Sequence, residues 1–348
     1  MAHIGFGRWL GDPQDFGKGS SADPYRIYTP QQLYDVRNDL QGNYTLMRDI
    51  DMAAWCLLNE WIPIGDSSHP FIGEFDGNDH SISNISVAAA TRNGGVFGAV
   101  QNCNIHDLAI VDFTYSSSVS VSPPSSYSCG TLAAIAKGSC LFNKIVVDGG
   151  SIETTYATAG GIVGYLSGGS NRISRCKTNI TIDASIAGGI AGTTQSGDAV
   201  YMCCSYGDIT STETVAGGIA GIWAGNVIND CYVRGEITGT GYCGGIAALT
   251  IGNGLILRCY SANTITGTIY SAGIGGYGAN SDYVAQCLWN KTINSTHANP
   301  DNTGTIGYTT AEMKLKATYL GLGWPTDIWA INDGSYPTLH LIMASITI

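Results

Sequence analysis

The segment Gly217-Gly218-Ile219-Ala220-Gly221 decides the fold, because close copies of it recur at regular intervals along the chain. The other copies are Gly94-Gly95-Val96-Phe97-Gly98, Gly160-Gly161-Ile162-Val163-Gly164, Gly188-Gly189-Ile190-Ala191-Gly192, Gly244-Gly245-Ile246-Ala247-Ala248, Ala272-Gly273-Ile274-Gly275-Gly276 and the degenerate Cys129-Gly130-Thr131-Leu132-Ala133-Ala134. From Gly160 onward, successive copies begin 28, 29, 27 and 28 residues apart. A unit of this length cannot bury its own apolar side, so the repeat predicts stacked units in a solenoid.

A second ladder runs in step with the glycine repeat. In it a cysteine is followed six residues later by a β-branched residue, and the pairs are Cys140/Val146, Cys176/Ile182, Cys203/Ile209, Cys231/Ile237, Cys259/Ile265 and Cys287/Ile293. An even separation places both side chains on the same side of an extended strand. We therefore predict an all-β, right-handed parallel β-helix with coils of about 28 residues, in which these pairs face the interior. The leucine spacing of leucine-rich repeats and the Trp-Asp signature of propellers are absent.

Both ends of a β-helix need a cap, and the sequence changes character where caps are expected. Thr29-Pro30-Gln31-Gln32 is a capping box, and the apolar spacing predicts a helix that continues to Gly42. Thr309-Thr310-Ala311-Glu312 predicts a second short helix through about Ala317, and the aromatic segment 324–329 is expected to plug the last coil. The predicted organisation is an N-terminal arm and capping helix over 1–43, the β-helix over 44–300 and a C-terminal cap over 301–348. The Pro-Ser-rich segment 121–126 predicts a loop.

Composition narrows the range of partners. The net charge is −11 and the pI is about 4.8, which argues against nucleic acid and anionic membranes. No apolar run is long enough to span a membrane. The N-terminus lacks a basic stretch followed by an apolar one, so no signal peptide is predicted. The expected location is nevertheless extracellular, on the cell surface or in a virion.

The chain has eleven cysteines. Their spacing of about 28 residues favours a ladder of buried thiols over disulfides or a metal site, since zinc sites use closely spaced ligands. No metal or cofactor is predicted.

Catalytic chemistry would require clustered acids. Asp49 and Asp51 share a strand face, whereas Glu74, Asp76 and Asp79 surround a Phe-Asp-Gly-Asn stretch that favours a turn. The histidines His69, His80, His106, His297 and His340 are scattered. We assign no catalytic residues.

A binding surface is better supported than a catalytic one. Tyr232 and Tyr260 alternate outward on adjacent coils, where they should stack with Arg234 nearby. These three residues are the candidate binding site, because aromatic rings suit sugar rings. Tyrosine ladders are also ordinary stabilisers of outer strands, and that alternative stays open.

The chain resembles the GLUG-repeat proteins, named for a Gly-Leu/Ile-small-Gly core, which occur in bacterial adhesin-like surface proteins and beside IgA-protease domains. The matching cores are Gly161-Ile162-Val163-Gly164, Gly189-Ile190-Ala191-Gly192 and Gly218-Ile219-Ala220-Gly221. The lead-in Trp61-Ile62-Pro63-Ile64-Gly65 and the closing Trp329-Ala330-Ile331-Asn332 are also similar. The resemblance implies a β-helix that serves adhesion or surface display, without catalytic residues.

The predicted function is therefore a non-catalytic β-helical recognition or display protein, adhesin-like or part of a virion attachment apparatus. Its expected partners are a glycan, a cell-surface receptor or further copies of itself. Two alternatives are a glycan-cleaving, tailspike-like enzyme and a structural subunit of an extracellular or viral assembly.

Overall fold

The computed structural model describes residues 16–87, 93–117, 127–278, 283–294 and 305–340. Successive coils pair through parallel strands, and the antiparallel strand pair among the described residues joins two short strands near the C-terminus. The predicted parallel β-helix is confirmed. The predicted loop over 121–126 lies outside the described residues.

One wall of the β-helix is a seven-stranded parallel sheet with one strand from each of seven successive coils. Its strands are Phe97–Gln101, Ala133–Gly138, Val163–Gly169, Ala191–Thr193, Ala220–Trp223, Ala247–Thr250 and Gly275–Tyr277. Each strand begins within a copy of the glycine repeat.

The remaining walls form a continuous 25-stranded sheet. In its N-terminal half the strands are Tyr25–Ile27, Tyr44–Leu46, Ile50–Asp51, Glu74–Ser83, Ser86–Val87, Asn104–Ser117, Ser128–Gly130, Leu141–Thr154, Thr158–Gly160, Arg172–Ser174 and Lys177–Gly188. In its C-terminal half they are Ala199–Tyr201, Cys204–Ser205, Ile209–Gly217, Val227–Asn229, Tyr232–Val233, Ile237–Gly239, Tyr242–Gly244, Leu255–Leu257, Tyr260–Ser261, Ile265–Gly267, Tyr270–Ala272, Val284–Ala285, Cys287–Asn290 and Thr305–Tyr308. Parallel pairing thus begins inside the segment predicted as the N-terminal arm and ends inside the predicted C-terminal cap.

The interior is built from columns of identical or similar residues. Ile182, Ile209, Ile237 and Ile265 pair in register from coil to coil and are fully buried. Burying one such side chain stabilises the fold by about 1.5–3 kcal/mol, and each new coil repeats the gain. The predicted inner column of β-branched residues is confirmed over these four coils.

The cysteine column is confirmed from Cys176 to Cys287, but its predicted ends are wrong. Residues 176, 203, 231, 259 and 287 are in register as free, buried thiols. At the N-terminal end Val146 pairs with Lys177, so Ile145 takes the cysteine position and Cys140 belongs to the column of Asn171. At the other end Ile293 is 43% exposed. The coils differ in length, so residues at a constant spacing along the sequence do not always fall in the same column.

A column of non-glycine residues with positive φ turns the chain just before each residue of the cysteine column and its continuation at Leu108 and Ile145. The column contains Asp107, Lys144, Arg175, Met202, Asp230, Arg258 and Gln286, with φ between 47° and 56°. A positive φ is uncommon for non-glycine residues. It is retained here because every coil must turn the same corner at this position. The corner stacks opposite charges, as in the bidentate contact of Arg258 with Asp230 at 2.8 Å.

The first capping box is confirmed, but its helix is shorter than predicted. Thr29 accepts a hydrogen bond from the Gln32 backbone N–H, and the α-helix Pro30–Tyr34 gives way to a 3₁₀-helix, Asp35–Asn38. The strands on either side, Tyr25–Ile27 and Tyr44–Leu46, pair in adjacent coils. A helix reaching Gly42 would extend roughly 18 Å and carry the chain away from its pairing position. A further single-turn helix spans Ala53–Cys56.

The second capping box is also confirmed, because Thr309 and Glu312 exchange side-chain and backbone hydrogen bonds. It opens a 3₁₀-turn, Glu312–Lys314, and the α-helix follows at Lys316–Gly321, which extends four residues past the predicted end. The strands Trp329–Ala330 and Thr338–Leu339 then pair antiparallel. This C-terminal segment does not plug the last coil; it packs along the outside of several coils.

Candidate functional site

The predicted binding residues lie where the sequence placed them, on the outer side of adjacent coils. Tyr232 and Tyr260 pair in register, and their rings stack with centroids 5.1 Å apart and an interplanar angle of 2°. The predicted tyrosine stack is therefore confirmed. However, Tyr232 is only 2% exposed and Tyr260 is fully buried.

The C-terminal segment covers these tyrosines. The Trp329 ring lies 6.0 Å from both tyrosine rings, and Tyr336 stacks on Tyr260 at 6.1 Å. The Trp329 indole N–H donates to Asp230 Oδ1 at 2.9 Å, which ties the segment to the charged corner. The surface predicted to meet a sugar is occupied by the chain itself.

Arg234 is also engaged within the fold. Its Nη2 donates to the Tyr260 hydroxyl at 3.0 Å, and that hydroxyl donates to the Pro337 carbonyl at 2.7 Å. Burial raises the pKa of both the Tyr232 and Tyr260 phenols, so they stay neutral and act through hydrogen bonds and packing. The expectation of an exposed platform at Tyr232, Arg234 and Tyr260 is wrong, because alternation specifies the side of a strand but not what lies over it.

An open groove lies on another part of the surface, where the seven-stranded sheet meets the neighbouring wall. One side of this groove, here called wall A, is the in-register column Ser128, Thr158, Ile186, Val215, Tyr242 and Tyr270. The opposite side, wall B, is the column Ala99, Ile135, Tyr165, Thr193, Ile222, Leu249 and Tyr277. Both columns run along the β-helix axis, across the strands.

The last residue of each repeat copy forms the floor of the groove, and it is glycine in five copies and alanine, at Ala134 and Ala248, in two. A Cβ at Gly192 would lie 2.6 Å from both the Gly164 carbonyl oxygen and Thr158 Cγ2, and one at Gly221 would lie 3.0 Å from Ile186 Cγ2. These contacts are too short for a side chain at Gly192 or Gly221 unless neighbouring atoms move, so glycine fits the inward corner best in these two coils. The repeat thus preserves a concave surface as well as close stacking.

Part of the groove is an open cavity with a volume of about 390 Å³. Its lining residues are Ser67, Tyr127, Ser128, Ile135, Lys137, Thr158, Tyr165, Ser167, Ile186, Thr193 and Ile222. Lys137 is the one charged side chain among these described residues. Gln195 donates to the Tyr165 hydroxyl and holds that ring at the edge of the groove. Apart from Lys137 the lining is therefore uncharged, with apolar walls and hydroxyl groups between them.

A cluster of three tyrosines ends the groove towards the C-terminus. Tyr277 is 55% exposed, and its ring lies 5.1 Å from Tyr242 and 6.4 Å from Tyr270. These contacts join wall A to wall B. The cluster offers the exposed aromatic faces that were predicted for Tyr232 and Tyr260.

Sequence reasoning missed the groove although a signal was present. Wall B is the residue directly after each glycine-repeat copy, and from Thr158 onward wall A is the residue two positions before the copy. Both positions are rich in aliphatic and tyrosine side chains.

The acidic residues weighed at the sequence level serve local structure in part. Asp49 accepts from the Ser81 backbone N–H and Asp51 from the Ala53 N–H, and these bonds lower the pKa of both carboxyl groups. Asp76 accepts from the Asn78 N–H at 2.7 Å, as expected of the predicted turn.

The histidines are not all scattered, because coil stacking brings His106 to Glu74 and Asp76. The spacings of 32 and 30 residues along the chain hid this group.

No protein-family profile matches the chain. Over 100 residues it is 33% identical to a protein of Evansella cellulosilytica that is provisionally named a Gly-rich membrane protein. That match covers 27% of this chain and 12% of the relative, so the chain corresponds to about an eighth of the relative's length. Within the described part of this chain, no helix is long and apolar enough to cross a membrane.

Two solved structures share the fold. One is a Bacteroides ovatus protein provisionally described as an immunoglobulin A1 protease, with a TM-score of 0.59 and 20% identity over 93% of this chain and 94% of that one. The other is an IgA1 protease, with a TM-score of 0.58 and 16% identity over 92% of this chain but 26% of that one. At these identities the likeness establishes a shared β-helical architecture.

Proposed function

We propose that the chain is a non-catalytic β-helical recognition module that works outside the cell and binds a neutral glycan along the groove between walls A and B. The open groove, with tyrosine and aliphatic walls and a floor of glycine and alanine, carries the proposal. Binding sites for small or extended ligands are typically concave and mostly apolar, with a few polar groups that set orientation.

The chemistry of the groove favours a neutral glycan over other ligands. Tyrosine rings such as Tyr165 and Tyr277 provide flat apolar faces for sugar rings, and nearby serine and threonine hydroxyls can exchange hydrogen bonds with sugar hydroxyls. The net charge of −11 would repel an acidic polysaccharide. The strands of the seven-stranded sheet that line the groove are paired with neighbouring coils, so a polypeptide could not bind there by adding a strand.

The resemblance to GLUG-repeat proteins supports surface recognition as the general role. The two fold neighbours agree with an extracellular setting, because immunoglobulin A is a secreted antibody and an enzyme that cleaves it acts outside the cell. Their protease activity is not part of the proposal.

The test is retention of the whole chain on an array of neutral oligosaccharides, followed by calorimetric titration of the best ligand. Thr193→Arg, which places a long charged side chain in the groove, and Tyr165→Ala should each weaken binding at least about tenfold, or roughly 1.4 kcal/mol. Leu58→Ala removes an apolar side chain that is 86% exposed and outside the groove, and it should leave affinity unchanged.

Two results would contradict the proposal. The first is that no neutral glycan on the array retains the chain. A chain that binds polypeptides and no neutral glycan gives this same result. The second is a glycan whose affinity is lowered equally by Thr193→Arg and Leu58→Ala.

A further inference from the structure

A group of side chains far from the groove is arranged as a cation site. Glu74 and Asp76 lie on the strand Glu74–Ser83, and His106 and Asp107 lie on the strand Asn104–Ser117 of the next coil. The register pairs Asp76 with His106, which brings the four side chains to one patch on the outside of the sheet. They are partly exposed, so a solvent ion can reach them.

The imidazole of His106 is held between carboxylates on both sides. Nδ1 lies 2.7 Å from Asp107 Oδ2 and 3.5 Å from Asp76 Oδ1, while Nε2 lies 3.1 Å from Glu74 Oε1. One ligand atom each from Asp76, His106 and Asp107 lies within 4.8 Å of the others.

The surrounding hydrogen bonds orient the His106 ring and the Asp107 carboxylate. Asn104 donates to Glu74 Oε1 at 2.8 Å, which fixes the carboxylate that faces Nε2. Lys144 donates to Asp107 Oδ1 at 2.6 Å and leaves Oδ2 directed at the imidazole. A metal-binding histidine ordinarily donates its other ring N–H to a carboxylate in this way, which sets its tautomer and direction.

We propose that Asp76, His106 and Asp107 bind a first-row divalent transition metal, of the Zn²⁺ class, through Asp76 Oδ1, His106 Nδ1 and Asp107 Oδ2. Glu74 accepts the Nε2–H of His106 and holds the ring. One imidazole nitrogen with two carboxylate oxygens suits Zn²⁺ and similar ions, whereas Ca²⁺ and Mg²⁺ prefer all-oxygen sets. The remaining coordination positions face solvent, and the ion joins two successive coils.

The chain offers a matched control. His80 Nδ1 lies 3.4 Å from Asp49 Oδ1, a simple histidine–carboxylate pair on the same region of the β-helix. His80 belongs to no group of three ligands among the described residues. His106→Gln and His80→Gln thus remove the same functional group from a three-ligand and a two-residue setting.

The experiment uses the full, untagged chain carrying Cys56→Ser, because Cys56 is the one cysteine that is not buried. After dialysis against a chelator, Zn²⁺ binding is measured by calorimetry and Co²⁺ binding by its visible absorption. One ion should bind per chain, with an affinity at least about tenfold lower in His106→Gln and unchanged in His80→Gln. Circular dichroism of each variant confirms that the fold is retained.

Asp76→Asn provides a second variant if His106→Gln does not fold. Its amide oxygen can still accept the turn hydrogen bond from Asn78, and its Zn²⁺ affinity should again fall at least about tenfold. The proposal is overturned if the parent chain binds neither Zn²⁺ nor Co²⁺, if His106→Gln and Asp76→Asn bind as the parent does, or if Ca²⁺ alone binds.

Discussion

Two aromatic columns on the outside of this β-helix have similar chemistry and opposite surroundings. The Tyr232–Tyr260 column lies under the C-terminal segment, whereas Tyr277 and its neighbours border an open groove. Both columns arise from the same alternation, because outward positions recur in register from coil to coil. The difference shows that an outer aromatic ladder is either packing surface or binding surface, depending on whether a distant segment folds over it.

The covered column is expected to contribute to stability and the open one to binding. The C-terminal segment buries Trp324, Trp329 and Tyr319 against the covered tyrosines, and it satisfies the Asp230 carboxylate as it does so. The groove has no such covering segment among the described residues. Four predictions test this division, in order of decreasing effect.

Trp329→Ala should produce the largest change, a loss of about 3–5 kcal/mol in the free energy of unfolding. The variant removes a fully buried ring that packs on both Tyr232 and Tyr260, and it leaves Asp230 without its indole donor. Denaturant unfolding measures the effect. Tyr277→Ala, an aromatic truncation on the open column, should cost less than about 1 kcal/mol. Equal losses in the two variants would erase the distinction between the columns.

Gly192→Ala should cost about 1–3 kcal/mol, because its Cβ would lie 2.6 Å from the Gly164 carbonyl oxygen at the floor of the groove. Thermal unfolding of the purified variant checks the value. Gly321→Ala is the control: this helical glycine has no atom within 4 Å of an added Cβ, and the substitution should be neutral or slightly stabilising. A neutral Gly192→Ala would mean that the floor does not require glycine.

Tyr260→Phe should cost about 1–2 kcal/mol, since it removes the hydroxyl that joins Arg234 to the Pro337 carbonyl. The same change at the half-exposed Tyr277 should alter the free energy of unfolding by less than about 0.5 kcal/mol. Chemical denaturation of both variants under one set of conditions gives the comparison. If the Tyr260→Phe protein is as stable as the parent, the Tyr260 hydroxyl does not contribute to holding the C-terminal segment.

The last prediction changes labelling rather than stability. Burial raises the pKa of the Cys204 thiol to about 12, so at pH 8 almost no thiolate is available for alkylation. Cys204 faces the C-terminal segment, and Cys203 faces the interior of the coil. Alkylation mapped by mass spectrometry should therefore reach Cys204 in Trp329→Ala before it reaches Cys203. Simultaneous labelling would indicate that the coil itself had opened.

Much of the fold could be predicted from the sequence, for reasons that particular residues make clear. The in-register column is Ile182, Ile209, Ile237 and Ile265. It forms because each coil repeats the same inward position, where the apolar interior favours an apolar side chain. The capping boxes at Thr29 and Thr309 were readable because their hydrogen bonds span three residues. Counting failed at Cys140, where a coil of different length shifts the column.

The candidate sites depend on contacts between residues that are far apart in the sequence, and no local sequence pattern predicts such contacts. The groove requires two walls of one coil to meet at an inward corner, and the cation site requires side chains some thirty residues apart to face one another across a coil boundary. Trp329 reaches Asp230 across 99 residues of chain. Such contacts follow from where the completed β-helix places its surfaces.

The sequence by itself therefore determined the repeat, the parallel coils and the inward columns, because strand alternation and stacking act over one coil and its neighbours. Only the tertiary structure decided which outer column is covered, where the groove lies open and which acids surround His106. The physical reason is the distance along the chain over which each effect acts. Exclusion of water from the interior acts at every inward position alike, within one coil and its neighbours. The covering of an outer face depends on one long-range docking event that the period of the repeat does not encode.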